Sequence, residues 1–200
     1  MTVGHDGGEG SSHDGADAGR GLPSGLFGAV SRRRWLLWAL GAGTFLGGGG
    51  AGLLALRGTA PSVRGLSVLS DHQHRTLVAL AETHLPRGGP FEDGATEHDV
   101  VRQVDGFLAG QGSDALRDLS HALLLFEYGP VIFGRRLATF SNLPADQRLA
   151  EWRSWVASDR LLQRQVALGF RKVLALVFFD QPPVWSHIGY PGPSLRGAAG

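Results

Sequence analysis

The chain has 200 residues, 19 Lys plus Arg against 18 Asp plus Glu, and no cysteine. The missing cysteine excludes disulfides, thiolate metal sites, c-type haem attachment and a lipid-bearing cysteine. From Pro61 onward 14 basic residues face 14 acidic ones, so the basic footprint of a nucleic-acid binder is absent.

Residues 1–30 are rich in Gly, Asp, Ser and His and carry almost no large apolar side chain before Leu22. Such a segment cannot bury enough surface to fold and is expected to be a disordered leader, with His5 and His13 as solvated side chains. Residues 31–60 are of another kind. Ser31, Arg32, Arg33, Arg34, Trp35 and Leu36 open a run from Trp35 to Leu56 of 22 residues without a charge. The paired arginines, the aromatic and the leucine ahead of a weakly hydrophobic stretch resemble a twin-arginine export signal, the address of proteins that cross a membrane already folded. The arginines should stay on the cytoplasmic side. At 1.5 Å per helical residue the run is long enough to span a core of about 30 Å. It holds seven glycines, however, and glycine disfavours helix by about 1 kcal/mol relative to alanine. An ordinary single-pass anchor is the alternative. Gly58-Thr59-Ala60 has small residues at the offsets of a cleavage site, but Pro61 follows at once, so an uncleaved, retained signal is expected.

Residues 61–180 read as one helical domain with one core. Ser70-Asp71-His72-Gln73 is a capping box. The helix it opens carries Leu77, Leu80, Ala81 and Leu85 on one face, and Pro86 with Gly88-Gly89-Pro90 ends it. A second helix is expected from Glu97 to Ala109, with Val100, Val104, Phe107 and Leu108 inward. A third starts near Ser113 with Leu116, Leu119, Leu123 and Phe126 on one face. Gly129-Pro130 should break it, a short helical piece resuming through Phe133 and Leu137. Pro144 suits the first turn of a fourth helix, whose stripe is Leu149, Trp152 and Val156. The last helix runs from Leu161 to Phe179 with Leu162, Val166, Phe170, Val173 and Val177 inward. Its end, apolar from Val173 to Phe179, should be buried on all sides. With no period-2 pattern anywhere, the fold class is all-α, a small bundle of about five helices.

Four pieces of this sequence, in order, resemble the gluconate 2-dehydrogenase subunit 3 family. They are the twin-arginine leader, the block from Leu66-Ser67 through Leu69-Ser70-Asp71-His72-Gln73 to Leu77–Pro86, the block Phe140-Ser141-Asn142-Leu143-Pro144 with Arg148, Trp152 and Trp155, and the tail Trp185-Ser186-His187-Ile188-Gly189-Tyr190-Pro191-Gly192-Pro193. The resemblance covers residues 31 to 193. It departs at Phe178-Phe179, where paired tyrosines are common, and in the length of the leader. It implies a small non-catalytic accessory subunit of a membrane-associated dehydrogenase. The implied partners are a large flavoprotein of the glucose–methanol–choline type, which holds FAD and rides across the membrane with the small subunit, a cytochrome or other membrane acceptor, and the twin-arginine translocase. The implied location is the periplasm or the outer face of the cytoplasmic membrane. No cofactor, metal or catalytic residue is implied for this chain.

The residues by themselves point the same way. The glycines at 47 to 52 follow no strand, so they do not make a dinucleotide turn. There is no Glu-x-x-His pair for a di-iron bundle and no Gly-x-Ser-x-Gly elbow. His72 and His74, two apart, lie on different helix faces. His84 is expected to meet the final carbonyls of its helix, and His121 to be packed. In residues 181–200, Gln181-Pro182-Pro183 and Pro191-Gly192-Pro193 predict an extended tail. Its Trp185, Ile188, Tyr190 and Pro191 are candidate partner anchors, with Trp152 and Trp155 as a second candidate surface. Alternatively the tail folds back and fills a groove of its own bundle. Two other functions stay open: a membrane-anchored helical envelope protein without a redox partner, and an independent enzyme or ligand-binding bundle.

Overall fold

A computed structural model describes residues 55–134 and 136–192. The leader and the export-signal residues Ser31, Arg32, Arg33, Trp35 and Leu36 lie outside the described residues, as do Pro193 and the residues after it. The described chain is all-α: α1 Asp71–His84, α2 Val100–Ala109, α3 Ser113–Ile132, a 3-10 turn Phe140–Asn142, α4 Ala145–Val156, α5 Leu161–Phe179 and a short α6 Pro182–His187. A further helical turn occupies 55–57. α1 packs against α4, α3, α2 and the 3-10 turn; α5 packs on α2 and α4, and α6 sits on α5.

The capping box forms in both directions. Gln73 N–H donates to Ser70 Oγ at 3.3 Å, and Ser70 N–H donates to Gln73 Oε1 at 2.8 Å. The inward faces of α1, α2, α3 and α5 are those read from helical spacing, with Leu77, Leu80, Val104, Leu123, Phe126, Val166, Phe170 and Val173 all buried. The core is centred on Phe126. Its ring lies 4.5 Å from Phe140, 4.7 Å from Trp155, 5.5 Å from Phe170 and 6.1 Å from Trp152. One helix therefore meets the 3-10 turn, α4 and α5 through a single aromatic cluster, where edge-on pairs add about 0.5–1.5 kcal/mol each beyond area burial.

Several expectations are corrected. The second helix begins at Val100, not Glu97, because Asp99 adopts the left-handed conformation (φ 48°). Gly129-Pro130 does not break α3, which runs through the proline to Ile132; a proline this close to a helix end removes one bond and leaves few turns beyond it to disrupt. No helical piece passes through Phe133 and Leu137. Leu137 is exposed, and the next regular element is the 3-10 turn at Phe140. Pro144 is the cap residue before α4 rather than part of its first turn. On α4 the inward residues are Glu151, Trp152 and Trp155, while Val156 is exposed. The end of α5 is not buried on all sides, since Leu176 and Phe179 face outward. The tail is not extended at its start. Pro182 and Pro183 occupy the first two positions of α6, where a missing N–H breaks no intrahelical bond and the fixed φ suits the helix.

Candidate partner-docking surface

The two interior blocks of the family resemblance meet each other in the fold. Glu82 on α1 accepts from Arg148 on α4 at 3.3 Å, and the His84 ring lies 5.2 Å from Trp152. Glu127 of α3 is buried between the blocks. It accepts from Thr76 Oγ1 at 3.1 Å, from Ser141 N–H at 3.1 Å and from Ser141 Oγ at 2.6 Å, with Arg75 Nη2 3.9 Å away. A buried carboxylate is tolerated only when so many donors converge on it. Trp155 is 0 % exposed and donates its Nε1–H to Glu151 at 3.0 Å. Its ring fills the space above Gly129, where a Cβ would stand 2.5 Å from Cζ2. Trp152 and Trp155 are thus core residues, which corrects their candidacy as surface anchors. His84 lies tilted against an indole instead of meeting carbonyls, and His121 is exposed.

The tail block is disposed differently. Trp185 Nε1–H donates to the Phe179 carbonyl at 2.9 Å, so the indole caps the end of α5. Its ring meets Tyr190 edge-on at 5.5 Å, and Gly192, at φ +92°, lies under it. Trp185 therefore serves the tail's own shape. α6 ends at His187 with Ile188 as its cap residue, and Gly189 takes the left-handed conformation (φ 66°) that closes a helix without a Cβ penalty. What remains uncovered is a row of large apolar side chains. Leu176, Phe179, Ile188 and Tyr190 are 40–49 % exposed, and Pro191 is exposed beside them. Phe91, half-buried, joins the patch from the loop before α2, 5.7 Å from Phe179 and 6.4 Å from His187. Leu168, two turns before Leu176 on α5, is exposed as well, with exposed Lys172 one turn from each and exposed Arg171 beside it. Of these exposed residues the sequence singled out Ile188, Tyr190 and Pro191, and not Leu168, Leu176 and Phe179. Leu176 and Phe179 sit in an apolar run whose outward half cannot be told from its inward half by composition.

Among the described residues no three His, Asp or Glu side chains converge as a metal site would require, and no helix is long and apolar enough to cross a membrane. An open hollow of about 180 Å³ lies between α1 and the start of α2, lined by His74, Val78, Ala81, Ala95 and Val100 among others. It falls below the roughly 300–1,000 Å³ usual for small-molecule sites. Comparison with protein-family models, with curated proteins and with solved structures finds no match to this chain.

Proposed function

We propose that this chain is a non-catalytic accessory subunit, exported by the twin-arginine route, that carries and stabilises a large FAD-dependent dehydrogenase through the α5–α6 face. The observation that carries the reading is the set of large apolar side chains left exposed on α5 and α6, Leu176, Phe179, Ile188 and Tyr190. Contiguous exposed apolar surface on a folded domain marks a contact site, and exposed aromatics next to a cation make usual anchors. The resemblance supplies the kind of partner: a flavoprotein of the glucose–methanol–choline type, acting on a sugar, sugar acid or other alcohol. Arg171 and Lys172 call for acidic groups at the rim of the partner's pocket.

Two measurements test it. Co-purification with the full-length chain should yield a polypeptide bearing FAD, read by its absorbance. Replacing Ile188 and Tyr190 together by serine should lower the melting temperature by only a few degrees, the cost of the Trp185–Tyr190 ring contact. Loss of one buried anchor typically costs about 2 kcal/mol, or roughly thirtyfold in affinity, so the double replacement should abolish the pull-down. Export is tested separately. Arg32→Lys with Arg33→Lys should hold the chain and its passenger inside the cytoplasm, because the pathway reads paired guanidinium groups rather than charge. Export without any flavoprotein companion would favour an envelope protein lacking a redox partner.

A further inference from the structure

The segment between the apolar run and α1 has almost no regular structure, yet side chains from three elements hold its backbone. Asn142 Nδ2 donates to the carbonyls of Leu56 at 2.9 Å and Arg57 at 3.3 Å. Arg75 donates to the Thr59 carbonyl at 2.8 Å and also to that of Arg57. Further on, Asp71 accepts from Val63 N–H at 2.9 Å, Arg102 donates to the Arg64 carbonyl at 3.2 Å, and Asp105 accepts from the amides of Ser67, Val68 and Leu69. The chain is helical at 55–57 and turns at Gly58, whose φ is +65°.

These contacts fall on the small-residue site that directly follows the apolar run. Gly58 and Ala60 stand third and first before the Ala60–Pro61 bond, the small-x-small pattern such an enzyme needs. A peptidase must take that stretch as an extended strand and engage its carbonyls. Here Gly58 is left-handed, the residues before it are helical, and the carbonyls of Leu56, Arg57 and Thr59 are occupied by Asn142 and Arg75. Gly58, Thr59 and Pro61 are exposed, so burial is not the obstacle; we infer that the folded bundle, by these bonds and this backbone conformation, keeps the Ala60–Pro61 bond from being taken up by a peptidase, so that the apolar run stays attached as a tether after the domain has folded. The protection is meaningful because the export route carries folded chains, and to that extent it rests on the reading above.

The test needs no translocase. The purified full-length chain in mild detergent is incubated with a purified type I signal peptidase, and intact mass reports the cut. Pro61→Ala removes the obstruction that proline itself presents, so it separates a chemical block from a structural one. The wild type and Pro61→Ala should both keep their full mass. Pro61→Ala combined with Asn142→Ala, and more so with Arg75→Ala added, should be cut after Ala60 at least tenfold faster than Pro61→Ala alone. Cutting of the wild type overturns the inference. So does cutting of Pro61→Ala as fast as the combined variants, which would make proline the whole block. A combined variant that melts like the wild type and still resists also overturns it. Asn142 is exposed, so the variant without the Arg75 change provides the comparison should the triple one fold poorly. Since the assay contains no export step, failure of export in cells would count against the proposed function and leave this result standing.

Discussion

Replacing Gly129 by alanine should destabilise the protein, although glycine-to-alanine inside a helix ordinarily stabilises by about 1 kcal/mol. The new Cβ would stand 2.5 Å from Trp155 Cζ2, 3.1 Å from Cε2 and 3.2 Å from Nε1, where carbon pairs prefer about 3.5–4.0 Å. The indole would have to retreat by about 1 Å. It cannot do so freely, because Phe126 lies 4.7 Å and Phe133 6.0 Å from its centre and Glu151 holds its Nε1 at 3.0 Å. Overpacking of this kind costs about 1–3 kcal/mol, and stretching the bond to a buried carboxylate adds about 1 kcal/mol. The propensity gain is not realised either, since position 129 precedes Pro130, whose ring crowds the Cβ of a helical neighbour. The net effect should be about 2–3 kcal/mol of destabilisation. For a domain of this size about 4 °C of melting temperature corresponds to 1 kcal/mol, so circular dichroism of the full-length chain should show a fall of roughly 10 °C. Gly106→Ala is the control. It too lies inside a helix, with nothing within 4 Å of its would-be Cβ, and it should raise the melting temperature by a few degrees. If Gly129→Ala melts at or above the wild type, the indole is not seated against that backbone and the account of the core is wrong.

Three further outcomes are expected. Asp105→Asn replaces a carboxylate that accepts from three consecutive amides, at 3.0 Å from Val68 and 2.8 Å from Leu69. The amide cannot accept with both atoms, so stability should fall by about 2 kcal/mol, with faster hydrogen exchange at Ser67–Leu69. Acidification should destabilise the protein progressively. Burial is the first cause of the lowered pKa of His72, His74 and His84, joined by Arg57 and Arg75 at His72, Arg102 at His74 and Arg171 at His84. Each folded-state pKa lies below the unfolded value of 6.5, so this stability is present above pH 6.5 and is lost as pH falls through the folded pKa values. At Asp105 burial opposes the charge, yet the bonds from Ser67, Leu69 and Val68 outweigh it and lower the pKa from 3.8; its contribution should therefore persist until about pH 4 and disappear below. Thermal melts from pH 8 to pH 3 should show both losses, His84→Gln reducing the first, and a melting temperature that rises on acidification would contradict the assignment.

Helical spacing located α1 and α5 to the residue at one end or both, because a long amphipathic face repeats often enough to be read. It failed where tertiary contact overrides the local signal. Gly129-Pro130 looks like a stop, but the glycine is there to admit Trp155, a residue 26 positions away, and the helix tolerates the proline near its end. Pro182-Pro183 looks extended, but at the first two positions of α6 it starts a helix. On α4 the choice of Val156 over Trp155 as the inward residue was wrong because the stripe is offset toward Glu151, whose carboxylate is needed by the indole N–H. The contacts of Asp105 with Ser67–Leu69 span 36 to 38 residues and leave no local trace. The exposed apolar row was half legible. Ile188 and Tyr190 stand out in a proline-flanked tail, whereas Leu176 and Phe179 are hidden in a run that is apolar on every face.

The three described pieces of the family resemblance separate by what they do. Leu77, Leu80, Glu82, Phe140, Ser141, Arg148, Trp152 and Trp155 are all accounted for by the bundle's own packing, ion pairs and hydrogen bonds. Within the tail, Trp185 is accounted for in the same way, by the carbonyl it caps and the ring it meets. Ile188 is not, and Tyr190 is only in part, through the edge it turns to Trp185; both leave apolar surface in water. Substitutions in the first group should therefore read out as stability, a substitution at Ile188 as association at constant stability, and one at Tyr190 as association with a small loss of stability. The segment held by Arg75, Asn142, Asp71 and Asp105 shares no residue with the α5–α6 face. A single chain can then be tethered through one set of contacts while another face is free to hold a partner, and loss of either should leave the other intact.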